Sequence, residues 1–324
     1  MLRRAYDWHR PLMSVVVLMA VCAVTSIVGL MVDSREILGA PAWAKPLKFS
    51  LSILLYSLTW AWFIARLPRW RRPAHILGTV IAVTLVIEQV LITWAAASGT
   101  TSHFNVSSAL HTAVWATMAA AITTMYLCTL VTSAAVFFLR LPTASATFAV
   151  RAGIVVALAG IGVAFLMTSP TAAQLSDPAG IIGAHAVGVA DGGPGLPLLG
   201  WSIQGGDYRV AHFIGMHALQ VLPLLALGLD AAGRRARPLA PPQVQLRLVI
   251  AASAAYSAAL VLLTLQAAAG ESVVRPTGPF LAGGWGIVIA FVITAGIVLA
   301  RQSAAPSDLP GQAPPSVLSA RVES

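Results

Sequence analysis

Residues 206–220 place Asp207, Arg209, His212, His217 and Gln220 at the mouth of an apolar run that continues to Asp230. Ionisable groups are costly at membrane depth and tend to persist there for function. Neutral imidazoles suit iron, copper or zinc, axial histidines hold haem, and an arginine fork holds an anionic group. Spacing limits the metal option. Arg209, His212, His217 and Gln220 span an arc of about 140° on a helix. His212 and His217 are five apart, so a regular helix splays them and they cannot share a metal as an HxxxH pair would. Chelation needs a ligand from another segment, and His111 is the obvious partner for His217. His111 and His103 stand in a second such entry, Ser102-His-Phe-Asn-Val-Ser-Ser-Ala-Leu-His111.

Two further groups extend the polar inventory. Glu88 lies inside an apolar run, with Thr84 one turn before it and Gln89 beside it. A carboxylate at that depth must be protonated or paired. It reads either as a proton carrier or metal ligand, or as a hydrogen-bonded structural side chain. The chain's only two lysines, Lys45 and Lys48, open another apolar run, and Ser52, Tyr56 and Thr59 continue from Lys48 within about 80° of helix face. That stripe either bonds neighbouring helices or lines a cavity. Each lysine alone could snorkel to headgroups.

The elements that must position these side chains follow from composition. The 324 residues are 58% hydrophobic and only 10% charged, with a mean hydropathy of +0.82. A soluble domain carries roughly 25% charged residues. Eight apolar runs reach spanning length, at residues 12–32, 47–67, 74–98, 109–138, 148–169, 210–229, 248–269 and 280–300. The expected fold is an all-α polytopic transmembrane helix bundle of eight spans over residues 1–301, followed by a disordered tail at 302–324. The first run is too long for the apolar core of a signal peptide and reads as a retained span. Residues 170–207, rich in Gly and Pro yet carrying Ile181, Ile182 and Leu196 to Trp201, are expected to fold back as a lid or re-entrant segment. Pro223 is expected to bend the sixth span.

Arginines sort by side. Arg3, Arg4, Arg10, Arg66, Arg69, Arg71, Arg72, Arg140, Arg151, Arg234, Arg235, Arg237, Arg247 and Arg301 fall on one face of an eight-span bundle. Arg35, Lys45, Lys48, Arg209 and Arg275 fall on the other. The positive-inside rule then makes both termini cytoplasmic. The net charge of +9 reads as orientation and headgroup contact rather than nucleic-acid binding. His103, His111, His185, His212 and His217 all lie on the arginine-poor side. Cys22 and Cys128 sit in apolar runs without metal or disulfide spacing. Walker, GxGxxG, GxSxG, HExxH and CxxCH patterns are missing, which removes support for ATP-driven work, serine hydrolysis and c-type haem.

The segments Trp43-Ala-Lys-Pro-Leu-Lys-Phe-Ser, Ser102-His-Phe-Asn and Gly206-Asp-Tyr-Arg-Val-Ala-His-Phe-Ile-Gly-Met-His-Ala-Leu-Gln-Val-Leu-Pro resemble those of a bacterial polytopic membrane-protein family. The resemblance covers spans two to six and implies a bacterial cytoplasmic (inner) membrane location. It carries no activity.

Two functions fit the residues. The first is a redox-active metal or haem site in the outer half of the bilayer. His111 and His217 would be ligands, His103 and His212 supporting groups, and Arg209, Lys45 and Lys48 would hold a propionate or a quinone headgroup. The second is a proton-coupled transporter or receptor for a small anionic molecule. Lys45, Lys48 and Arg209 would attract the anion, Glu88 would couple protons, and Tyr56, Asp207 and Gln220 would complete the site. An enzyme acting on a lipid headgroup, with a histidine and Asp207 as acid and base, has no recognisable spacing behind it.

Overall fold

The computed structural model describes residues 5–177 and 179–303. Among them, eight helices are long and apolar enough to cross a membrane. They are α1 (Arg10–Val32), α2 (Ala44–Arg66), α3 (Arg71–Ala97), α4 (Ala109–Phe137), α5 (Ala144–Gly162), α6 (Tyr208–Gly233), α7 (Pro242–Ala268) and α8 (Gly278–Ser303). The protein is an all-α polytopic bundle. Most of the expected tail, from residue 304, lies outside the described residues, as do Arg3 and Arg4.

Local chemistry sets several helix starts. The Ser108 hydroxyl accepts the amide of His111 to begin α4, and the Thr143 hydroxyl accepts the amide of Ala146 to begin α5. Asp207 caps α6 by accepting the amide of Arg209. The α5 start falls four residues before the apolar run expected at 148, because Thr143 supplies a cap that hydropathy does not register. At its far end α5 tightens into a 3-10 turn, Val163–Met167. Carbonyls in a closing turn seek other donors. That of Gly160 accepts from His212 Nδ1 at 2.8 Å, and that of Met167 accepts the amide of Ala184. α6 continues through Pro223, which stays inside one helix.

The helices form two groups that meet at one seam. α1, α2, α3 and α4 pack in one, and α5, α6, α7 and α8 in the other, with α4 touching α5 and α2 touching α6. Trp60 and Phe63 of α2, Leu12 and Met19 of α1 and Ile81 of α3 fill the first core. The second is made of small and branched residues, among them Ala149, Val156, Ala211, Ala218, Val249 and Leu260. Lipid tails are as apolar as leucine, so close packing rather than exclusion of water must hold such helices together. Gly160 of α5 meets Gly215 of α6 backbone to backbone, and Gly153 of α5 meets the α6 backbone at Ala218. The outward faces are apolar, with Val17, Val21 and Val24 of α1 and Val288 and Val292 of α8 exposed.

The loops are unequal. α1 and α2 are joined by a short hairpin, Glu36–Ile37 paired with Ala40–Pro41. Beside it Asp33 accepts the Trp43 indole N–H at 2.7 Å and a bidentate pair from Arg35. The long segment between α5 and α6 is ordered by backbone pairing within itself and with the α3–α4 loop. It contains a helical turn, Ala172–Ser176, a short ladder pairing Ala186–Val187 with Gly206–Asp207, and bridges Asn105 to Ile181 and Gly195 to Ser202.

Candidate functional site

The seam between the two helix groups opens on the arginine-poor face into a cavity of about 1140 Å³. α2, α3 and α4 give one wall, the end of α5 and the start of α6 the other, and residues from the 170–207 segment the roof. Most of the surface is apolar, lined by Ile53, Ile92, Met118, Met125 and Met216 and by the rings of Phe49, Phe104, Trp115, Trp201 and Phe213. The volume is slightly above the roughly 300–1,000 Å³ usual for a small-molecule site.

At the polar end three side chains from three elements meet on one imidazole. His103 sits in the α3–α4 loop, where the Phe104 backbone is left-handed at φ +65°. Its Nδ1 lies 3.2 Å from Lys45 Nζ and 3.1 Å from Ser102 Oγ, and its Nε2 lies 3.4 Å from Glu88 Oε1. Burial, then the neighbouring charge of Lys45, hold the His103 imidazole well below its ordinary pKa. A neutral ring gives one consistent proton arrangement: Nδ1 accepts from Lys45 and Ser102, and Nε2 carries its hydrogen toward Glu88. Glu88 Oε2, also buried, has no hydrogen-bond partner among the described residues. Buried polar atoms are seldom left unpaired.

A second imidazole faces the same space. His185 Nδ1 lies 2.7 Å from Asp191 Oδ2, and Asp191 also accepts the amides of His185 and Ala186. Burial would raise Asp191, but the His185 bond and charge and the two amides outweigh it and hold the carboxyl below the carboxylate range. Burial lowers His185 by more than Asp191 raises it. Its Nδ1 is therefore the donor, and Nε2 is an acceptor. His212, with Nδ1 on the Gly160 carbonyl, is arranged alike and also lines the cavity.

The sequence-predicted residues divide. Lys45, Lys48, Tyr56, Glu88, His103, Arg209 and His212 line the cavity. Asp207, Gln220, His111 and His217 do not belong to that lining. Asp207 is a buried brace, bidentate on Arg209 and accepting the amide of Ser202 at 2.8 Å. Gln220 bonds Thr59, and His217 Nε2 bonds Ser52 at 3.1 Å. Tyr56 bonds Thr129 of α4. The α2 stripe thus ties helices together, and its Lys48, Ser52 and Tyr56 also face the cavity. His111 occupies the first turn of α4, with Nε2 3.2 Å from Thr100 Oγ1 and Nδ1 2.9 Å from Ser108 Oγ. A metal or haem held between His111 and His217 does not fit these separate partners. No group of three or more His, Cys, Asp or Glu able to hold a metal forms among the described residues.

Sequence reasoning missed His185 as a site residue, along with Asp191, Ser102 and the aromatic wall. The His185–Asp191 pair lies in an irregular glycine-rich loop with no periodicity to show which way either side chain points. Compared with family models, curated proteins and solved structures, the chain matches none.

Proposed function

We propose that this membrane protein is a proton-coupled transporter or receptor for a small amphipathic anion, which enters from the arginine-poor face. The observation that carries the reading is Glu88. One of its oxygens faces His103, the other is buried without a partner, and the Lys45 ammonium stands on the far side of the same imidazole. Such an oxygen calls for a proton, whether its own or one brought by the ligand. The ligand's charged head sits against Lys45, its chain or ring occupies the apolar depth, and Glu88 exchanges a proton with it through His103. The arginine bias supports placing the cavity on the non-cytoplasmic side of a bacterial cytoplasmic membrane, with both termini inside.

Trp115 and Trp201 in the wall provide a readout. Decanoate added to the full chain in nanodiscs is expected to quench tryptophan emission saturably, more weakly as pH rises, while decanol quenches little. Glu88→Gln is expected to retain binding and lose its pH dependence; Lys45→Met is expected to lose binding. Equal quenching by decanol and decanoate, or a pH dependence that survives Glu88→Gln, would sink the reading.

A further inference from the structure

Two cations at the cavity mouth are held by the chain's own backbone. Lys48 Nζ of α2 donates to the carbonyl of Leu199 at 2.6 Å, and Arg209 Nη2 of α6 donates to the carbonyl of Gly200 at 2.7 Å. Successive carbonyls at one hairpin tip therefore bridge the two helix groups. The hairpin is closed by the Gly195–Ser202 bridge, by the Leu196 amide on the Trp201 carbonyl and by the Gly200 amide on the Leu196 carbonyl. Leu198 and Gly200 are left-handed at φ +63° and +67°, which turns both tip carbonyls toward the cations. Residues 195–201 of this hairpin line the cavity, and Pro197 and Leu198 are its exposed members.

Among the described residues no carboxylate contacts the Lys48 ammonium. Its half-buried charge is met by one neutral dipole. An oxyanion would answer it better, since it brings an opposite charge as well as an acceptor, where the carbonyl brings only a dipole. Arg209 differs: the buried Asp207 grips one side of its guanidinium and leaves it aimed at the tip.

We propose that Lys48 and Arg209 form an entry site for an oxyanion, a carboxylate or phosphate, and that the tip carbonyls of Leu199 and Gly200 occupy it until the anion displaces them. The hairpin 195–202 is then a latch that the ligand's own head releases. The inference rests on the functional reading above for the identity of the natural ligand, but not for the latch itself.

Hydrogen exchange of the full chain in nanodiscs tests it, read at the amides of Leu196, Gly200 and Ile203, with inorganic phosphate, decyl phosphate and decanoate as probes. The expected result is exchange about tenfold faster at these amides when an oxyanion is added, with the α5–α6 contact unchanged. Release by decyl phosphate and decanoate alone points to an amphiphile headgroup; release by inorganic phosphate as well points to any free oxyanion. Lys48→Gln is expected to speed the same amides without ligand and to abolish the anion effect, while Lys48→Arg preserves both states. Exchange indifferent to every anion, or an anion effect that survives Lys48→Gln, overturns the proposal. Tryptophan quenching by decanoate without faster hairpin exchange would overturn the latch and leave the functional reading standing. Release by inorganic phosphate without saturable decanoate quenching would do the reverse.

Discussion

A single half-buried imidazole decides what the polar end of the cavity can do. His103 is kept neutral, so it stands between Lys45, bonded to its Nδ1, and Glu88, 3.4 Å from its Nε2, without contributing a charge. His103→Ala is expected to leave Lys45 and Glu88 without a common partner and to weaken decanoate quenching at every pH, unlike Glu88→Gln, which removes only the pH dependence. Fluorescence titration of the two variants separates the roles. The His185–Asp191 pair makes a different prediction. Both groups have folded pKa values below their ordinary ones. A lowered histidine contributes stability that is present above its unfolded pKa of about 6.5 and is lost as pH falls below that value. A lowered aspartate contributes stability present above about 3.9 and lost as pH falls further. The signs agree, so acid loosens this part of the loop in two stages. Limited proteolysis between residues 180 and 195 is expected to accelerate from pH 7.5 to 5, and Asp191→Asn to show fast cleavage at both. Cleavage independent of pH in the wild-type chain would contradict this. Nothing in the sequence pairs His185 with Asp191. Glu88 and Lys45, by contrast, stood out in advance, because a charge inside an apolar run is visible without a fold.

At the scale of elements, hydropathy located every spanning helix, since a span must be apolar along its length whatever it packs against. It located their ends less well. Ends depend on caps such as Thr143 and on the 3-10 turn after Gly162, which arise from single side chains and from carbonyls taken by distant donors. That residues 170–207 fold back onto the bundle was legible from their mixture of Gly, Pro and apolar residues, but the hairpin and its attachment to α2 and α6 were not. The five-residue spacing of His212 and His217 correctly warned that they diverge, one to the Gly160 carbonyl and the other to Ser52. Contact between α5 and α6 depends on two glycines that look unremarkable in a glycine-rich chain. A Cβ at Gly160 would overlap the Gly215 backbone. Gly160→Ala is therefore expected to force the helices apart and to cost about 1–3 kcal/mol, as overpacking does. Gly228→Ala, with open space around it, is expected to cost nothing measurable and to serve as the control. Thermal unfolding in detergent compares the two.

For the whole molecule, the arrangement of charge and cavity makes orientation a functional question. Arg66, Arg71, Arg72 and Arg234 stand at the ends of α2, α3 and α6 remote from the residues of those helices that line the cavity. The cavity instead gathers both lysines together with His103, His185 and His212. If that face is non-cytoplasmic, its lysines run against the charge bias that orients spans. Lys45 and Lys48 are both spent on the cavity, one on His103 and one on the hairpin tip, which gives a reason for that exception. If the cavity faces outward, a membrane-impermeant maleimide should reach Leu198→Cys, on the exposed hairpin tip, in intact cells. Ala240→Cys, exposed in the arginine-rich loop between α6 and α7, should react only after permeabilisation. Both belong in a Cys22→Ala, Cys128→Ala background, since those two thiols are free. The reversed pattern would place the cavity in the cytoplasm. The ligand would then be an internal anion met by the anionic leaflet's own headgroups, and the arginine-rich loops would lack the partner that their charge calls for. Labelling at Leu198 that also fell on adding decyl phosphate, while Ala240 stayed unchanged, would put ligand, latch and membrane side on one coordinate.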